Sequence, residues 1–265
     1  MRGFAELLTG VAIQASAAIL AVDFRAADAR RKADDSPVTI ADEAAQAVIR
    51  ESLARVAPGI PVVSEEAVAE WLDRAPPHEF LLVDPLDGTA EFIAGRLEYT
   101  VNIALVRDGA PVLGVVAAPA LGLIWRGATN HGAERLRFAD GKPGAPEIIH
   151  TRPWSAGERV AAASRSHFDP SSAAFLARLG PIVTMESGSA IKFCRVAEGA
   201  ADVYPRLAPT SEWDVAAGHA VVVAAGGVIV APDGGQPQYG RAREGFRVPG
   251  FIAWGDPAAA RQFRR

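Results

Sequence analysis

Residues 80–89 read Phe80-Leu81-Leu82-Val83-Asp84-Pro85-Leu86-Asp87-Gly88-Thr89, and the rest of the chain is best understood outward from them. The first four form an unbroken apolar run between Pro77 and Pro85. The run is too short for a helix, so it predicts a buried strand. Asp84 is expected where that strand leaves the sheet. Two carboxylates three residues apart, separated by a proline that restricts the turn, can converge on one point. Gly88 lets the backbone approach a ligand closely, and a helix starting behind it would aim N–H groups at an anion. Carboxylates and a carbonyl beside such a cradle form the hard-oxygen surroundings that Mg2+ prefers. The same residues also suit an Asx turn in which Asp84 and Asp87 merely accept from backbone N–H groups. Taken alone, the segment leaves both readings open.

Upstream, the apolar run from Leu7 to Val22 places Val11, Ala15, Ala18 and Val22 at helical spacing. Glu6 and Gln14 interrupt it, and it is too short to span a bilayer, so an amphipathic first helix is expected and no transmembrane segment. Ser36-Pro37-Val38-Thr39 leads into a second helix with Ala45, Val48, Ile49, Leu53 and Val56 as its stripe, closed by Pro58-Gly59. Pro61 to Ser64 then reads as a short strand that delivers Glu65 and Glu66 to its end.

Downstream, Thr100 to Val106 and Val112 to Ala117 are β-rich runs joined by Arg107-Asp108-Gly109-Ala110-Pro111, which predicts a hairpin, with Leu123 to Arg126 as a third antiparallel strand. From Val160 the pattern alternates. Strands are expected at Val160 to Ala163, Ile182 to Met185 and Ala201 to Tyr204, with helices at Ser171 to Leu179 and Ala190 to Glu198 between them. A helix from Trp213 to Ala225 and strands at Val228 to Val230 and Phe251 to Trp254 complete the chain. The composition shift at 141–146 divides it into an α+β half with an antiparallel sheet, 1–145, and an α/β half, 146–265.

The chain has 265 residues, 49% of them hydrophobic, and a net charge of -4, as expected of a soluble globular enzyme. A weakly acidic chain makes a poor groove for polymeric nucleic acid, which needs a concentrated basic face. Cys194 is the only cysteine, so there is no disulfide framework and no thiolate metal site, and the reducing cytoplasm is the expected compartment.

Two further acidic sites bear on residues 84–89. Glu65-Glu66 could be favourable charge at a helix start, and Ser211-Glu212-Trp213-Asp214 is by itself a capping box. Together with the glycine turn and Thr89, however, they make the parts of a metal-assisted phosphatase. Their order resembles the inositol monophosphatase superfamily, which includes lithium-sensitive phosphatases. Within it the chain resembles the bacterial 3'(2'),5'-bisphosphate nucleotidases of the CysQ type. The resemblance runs from about residue 30 to the C-terminus and rests on Lys32-Ala33-Asp34-Asp35-Ser36-Pro37-Val38-Thr39, Ser164-Arg165-Ser166-His167, Gly188-Ser189-Ala190-Ile191-Lys192-Phe193-Cys194, Val196-Ala197-Glu198-Gly199, Tyr204-Pro205-Arg206 and Trp213-Asp214-Val215-Ala216-Ala217-Gly218-His219-Ala220.

The resemblance implies a layered αβαβα sandwich of the sugar-phosphatase kind, with the metal site in the first half and the substrate loop and last metal ligand in the second. It implies two or three Mg2+ ions held by Glu65, Asp84, Asp87, Asp214 and the Leu86 carbonyl. Asp42 and Thr89 would be the catalytic pair that orients the attacking water. Substrate contacts would come from Glu65, Leu86, Asp87, Gly88, Thr89, His167, Gly188, Ser189 and Asp214. The non-reacting phosphate of a nucleotide bisphosphate also needs cations, for which Arg165, His167, Lys192, Arg195 and Arg206 are candidates, and Tyr204 could flank a base or pack in the core. Ala90 stands where the nucleotidases usually carry lysine, and Ala190 where a second serine is common. The implied reaction is hydrolysis of adenosine 3',5'-bisphosphate, or its sulfated form, in the cytoplasm or loosely on the inner face of the membrane. An inositol monophosphatase, a fructose-bisphosphatase-like enzyme and a non-catalytic nucleotide-binding protein are the alternatives.

Overall fold

The computed structural model describes residues 1–25, 30–31, 37–74, 77–154, 157–165 and 169–263. Ser166, His167 and the stretch 32–36 lie outside them. Helix α1 (Arg2–Leu20) begins before the apolar run and, against expectation, is long and apolar enough to cross a membrane, but it is packed as a core helix. Its inward stripe is Leu8, Val11, Ala12, Ala15 and Ile19, none more than 1% exposed. Ala18 and Val22 are only half-buried, so the stripe lies nearer the N-terminus than the expected spacing. α1 packs along α2 (Ile40–Val56), which starts at a capping box formed by Thr39 and Asp42.

The first sheet contains β1 (Val62–Ser64), β2 (Glu79–Asp87), β3 (Thr100–Arg107), β4 (Ala110–Ala118), β5 (Leu123–Ala128), β6 (Gly132–Ala139) and β7 (Glu147–Ile149), side by side in chain order. β1 and β2 pair in parallel and the other pairs are antiparallel. The β3–β4 turn holds Asp108 and Gly109 at φ 53° and 74°, as a two-residue primed hairpin requires. Contrary to expectation, β2 does not leave the sheet at Asp84. Asp84 still pairs with Asn102, the ladder shifts, and Asp87 pairs with Thr100. Pro85 has no N–H to donate, so the strand bulges there and rejoins. β6 and β7 were not expected. In β6 only Ala133 and Leu136 are buried, among Glu134, Arg135 and Arg137. β7 lies beyond the composition shift at 141–146 yet pairs with β6.

The second sheet is built from β8 (Val160–Ser164), β9 (Val183–Ser187), β10 (Val203–Arg206), β11 (Val228–Val230) and β12 (Phe251–Trp254), in the order β9-β8-β10-β12-β11. Helices α4 (Pro170–Arg178), α5 (Ile191–Ala197), α6 (Glu212–Ala224) and α7 (Pro257–Gln262) alternate with these strands, and the short α3 (Thr89–Ile93) follows β2. α7 and the small ribbon of Thr210–Ser211 with Arg247–Val248 were also unexpected.

Strand periodicity stacks these elements into five layers. Leu81, Val83, Ile103, Leu105 and Val115 face α1 and α2, whereas Phe80, Leu82, Ala104, Val106 and Val116 face α5 and α6. The far face of the second sheet packs Val203, Ile252 and Trp254 under Phe175, Leu176, Ala259 and Ala260 of α4 and α7. The result is the expected αβαβα sandwich. Between the sheets α6 is buried nearly all round, and it sits so close to β4 that a Cβ on Gly114 would stand 2.2 Å from the Ala217 carbonyl oxygen.

Candidate active site

The bulged end of β2 and the N-termini of α2 and α6 meet at one edge of the sandwich. There a cavity of about 440 Å3 is lined on one side by Glu65, Asp84, Leu86, Asp87, Gly88, Thr89 and Asp214. Gly188, Ser189, Lys192, Tyr204 and Arg206 line it as well. The described residues expected to hold metal or touch substrate therefore meet in one place, except for Arg165 and Arg195. Asp42 is not in the lining. It is 1% exposed and accepts from the Thr89 hydroxyl, Oγ1 to Oδ1 2.9 Å.

Two of the acids are N3 residues of helix caps. Asp42 Oδ2 accepts from the Thr39 N–H at 2.8 Å and from its hydroxyl at 2.7 Å. Asp214 Oδ2 accepts from the Ser211 N–H at 3.2 Å and from the Thr210 hydroxyl. Asp84 Oδ1 accepts from the Leu86 N–H at 3.0 Å, the Asx turn that the sequence allowed. Capping does not exclude a second role, because each cap uses one carboxylate oxygen and orients the group.

Burial pushes the Asp84 carboxyl well above its usual range, and Glu65, Asp87, Asp214 and Asp42 add to that by repulsion. Burial and then Asp214 raise Asp87 to about 6, opposed by Lys192, by the Asn102 amide and by Arg206. Lys192 is 3% exposed and donates from Nζ to the Ser189 carbonyl oxygen at 2.7 Å. Burial lowers it to about 8 against the pull of Asp87. Arg206 Nε is buried without a partner among the described residues.

Gly88 (φ 91°) is in the left-handed region, and a Cβ there would stand 2.1 Å from Ser189 Oγ. Only glycine allows that approach. The Ser189 hydroxyl, at 2.8 Å from the Asp87 carbonyl oxygen and 2.9 Å from that of Glu98, faces the backbone of the first half instead of a ligand. Arg165 pairs with Glu98 and Glu186, and Arg195 with Glu198 at 2.6 Å, and neither lines the cavity, which leaves Lys192 and Arg206 as its described cations. Tyr204 is 3% exposed and packs on Phe193 and Phe251, so it is core with an edge at the cavity. Trp213 packs against Phe246 as core support. Sequence reading missed Asn102 and Thr100, which approach Asp87 Oδ2 at 3.3 and 3.4 Å, and Thr210 beside Asp214. The signal for Asn102 was a polar residue inside an apolar strand.

As the side chains stand, no group of three or more His, Cys, Asp or Glu among the described residues is arranged to hold a metal ion. The carboxylates are engaged with protein donors instead. The donor set nevertheless fits a hard divalent cation. It is all oxygen, and the repulsion that adds to burial in raising Asp84 and Asp87 is what a cation would relieve.

The inositol monophosphatase family model matches residues 3–260, so the likeness begins well before residue 30 and takes in α1. The chain is 47% identical over 221 residues to the 3'(2'),5'-bisphosphate nucleotidase CysQ of Salmonella typhimurium (strain LT2), covering 83% of this chain and 86% of that protein. It is 43% identical over 224 residues to the CysQ of Escherichia coli (strain K12), covering 84% and 87%. The crystal structure of CysQ from Bacteroides thetaiotaomicron superposes with a TM-score of 0.78 at 36% identity, over 94% of this chain and 96% of that one. An inositol monophosphatase from Anabaena (Nostoc) sp. PCC 7120 shares the fold, with a TM-score of 0.75 at 23% identity over 99% and 94% of the two chains. The chain belongs to the inositol monophosphatase family, and its similarity within that family is to the 3'(2'),5'-bisphosphate nucleotidases of the CysQ type.

Proposed function

We propose that this chain is a Mg2+-dependent phosphatase that hydrolyses adenosine 3',5'-bisphosphate to AMP and phosphate, and the sulfated nucleotide to adenosine 5'-phosphosulfate. The observation that carries the reading is one cavity with two chemically distinct parts: Glu65, Asp84, Asp87 and Asp214 line it together with Lys192 and Arg206. A substrate with two phosphates needs both. Glu65, Asp84, Asp87, Asp214 and the Leu86 carbonyl would hold two or three Mg2+ ions. When bound, they would neutralise the scissile phosphate and lower the pKa of a water.

The protein's own part is positioning. Thr89, with its proton directed to Asp42, turns an oxygen lone pair to the attacking water and orients it. Backbone N–H groups behind Gly88 face the phosphate oxygens. Lys192 and Arg206 grip the phosphate that does not react, which sets the nucleotide in one orientation. Phosphoryl transfer asks little covalent work of the protein, so placement and charge supply most of the acceleration. No side-chain nucleophile is needed, and Cys194 is buried away from the cavity. A single buried thiol and a core-packed first helix support a cytoplasmic place of work.

The test is phosphate release from adenosine 3',5'-bisphosphate, 3'-AMP, inositol 1-phosphate and fructose 1,6-bisphosphate, with Mg2+ and with a chelator. The bisphosphate nucleotide should have the highest kcat/KM, the chelator should abolish turnover, and Li+ should inhibit. A preference for inositol 1-phosphate would overturn the substrate assignment.

A further inference from the structure

We infer that Asn102 is a positioning residue for the Asp87 carboxylate, selecting which of its oxygens is offered to a divalent cation. The inference rests on the cation reading of the site. Asn102 lies on β3 directly opposite Asp84 and is 1% exposed. Strand alternation puts it on the face of Ala104 and Val106, toward α6 and the cavity edge, whereas Val101 and Ile103 face α1 and α2.

Three donors converge on one oxygen of Asp87. The Ala190 N–H approaches Oδ2 at 2.7 Å, Asn102 Nδ2 at 3.3 Å and Thr100 Oγ1 at 3.4 Å. Two come from the first sheet and one from the loop before α5, so rotation of the carboxylate is restrained from both halves. Oδ1 is the oxygen they leave alone. The amide cannot be turned over without setting its own oxygen against Oδ2, so the hydrogen-bond network fixes its orientation.

Asn102 Oδ1 in turn is buried without a partner among the described residues. A buried acceptor left unsatisfied lowers stability, and an apolar residue of similar size would avoid that loss. The side chain is therefore explained by its donor and not by its contribution to folding. Groups that orient metal-binding carboxylates commonly change affinity tenfold or more when removed.

The experiment titrates Mn2+ into metal-free wild type, Asp87→Asn, Asn102→Leu and Asn102→Ala, reading free Mn2+ by its paramagnetic signal and the Tm of each metal-free protein. Wild type should bind and Asp87→Asn should not. Asn102→Leu should bind about tenfold more weakly or worse while its metal-free Tm stays at or above that of wild type. Asn102→Ala, the second variant should the leucine fail to fold, should show the same weakening. In turnover the Mg2+ needed for half-activation should rise while KM for the nucleotide stays near that of wild type. Mn2+ affinity near that of wild type in both Asn102 variants would make the residue structural and overturn the inference alone. A wild type that binds no Mn2+ would overturn the inference together with the cation reading.

Discussion

Thr89 Oγ1 and Asp42 Oδ1 stand 2.9 Å apart across 47 residues of chain, joining the turn after β2 to the first turn of α2. Asp42 Oδ2 is already held by Thr39, so the contact directs the threonine proton inward and its lone pairs outward. Thr89→Ala should lower kcat by about 10²–10⁴-fold, the range for a lost proton-handling group, with little change in KM. Thr89→Ser should keep most of the rate. Steady-state phosphate release decides, and an unchanged kcat in the alanine variant would remove the pair from the mechanism.

Asp87 carries a pH dependence with a definite sign. Its folded pKa is raised, from 3.8 to about 6, so between those values the folded state holds more protons than the unfolded chain. Metal-free stability from this group is therefore greatest in acid and falls as pH rises through about 6. Asp87→Asn removes that loss. In the presence of chelator it should raise Tm at pH 8, by about 2–4 °C for each kcal/mol relieved, and abolish turnover. A Tm below that of wild type at pH 8 would count against the raised pKa of Asp87.

Gly88 and Ser189 form a steric pair. Gly88→Ala sets a Cβ 2.1 Å from Ser189 Oγ at a φ of 91°, and the backbone strain alone costs about 1–3 kcal/mol. Ser189→Ala clears the oxygen but not the strain. Urea unfolding of the two single variants and the double should show recovery of part of the loss in the double. Strict additivity would mean that the two residues do not meet.

Arg206, with a buried Nε that no group among the described residues satisfies, is the stronger of the two candidates for the second phosphate. Arg206→Ala should lower kcat/KM on adenosine 3',5'-bisphosphate by about tenfold to a hundredfold, as expected for a charge-assisted contact of about 1.5–3 kcal/mol. Hydrolysis of 3'-AMP should barely change. Lys192→Ala should follow the same pattern, less cleanly, because Lys192 also supports the Ser189 carbonyl oxygen. Equal losses on both substrates would place these residues in the scissile site or the fold.

His219 has the opposite dependence to Asp87. Its Nδ1 lies 2.8 Å from the Tyr239 hydroxyl, and burial lowers its pKa from 6.5 to about 4. Between those values the unfolded chain binds the proton and the folded one does not, so stability is lost as pH falls through that window. The advantage of wild type over His219→Gln in urea unfolding should shrink from pH 7 to pH 4.5. A constant difference would mean that the imidazole titrates freely in the fold.

Much of the architecture follows from local rules. An apolar run between prolines makes β2, Asp108-Gly109 makes the β3–β4 hairpin, and alternation of short strands and helices after Val160 makes the second sheet. β6 escaped notice because it buries only Ala133 and Leu136 among charges, and β7 and the ribbon are too short for any periodicity to register.

By itself the sequence determined the strands and helices of an α+β half and an α/β half, the segment 84–89 as the chemical centre, and the acids at risk of meeting there, since periodicity, turn chemistry and residue type are properties of neighbours in the chain; the layered sandwich followed from the family resemblance. Tertiary structure decided what each group faces. It set Asn102 against Asp84 and Asp87 through strand register, turned the Ser189 hydroxyl to backbone, committed Arg165 and Arg195 to ion pairs away from the cavity, and left Lys192 and Arg206 in its wall. Hydrogen bonds and charge shifts act through space over a few ångströms. They therefore depend on how closely segments distant in sequence can pack, which Gly114 permits between β4 and α6 and Gly88 permits between the turn after β2 and Ser189.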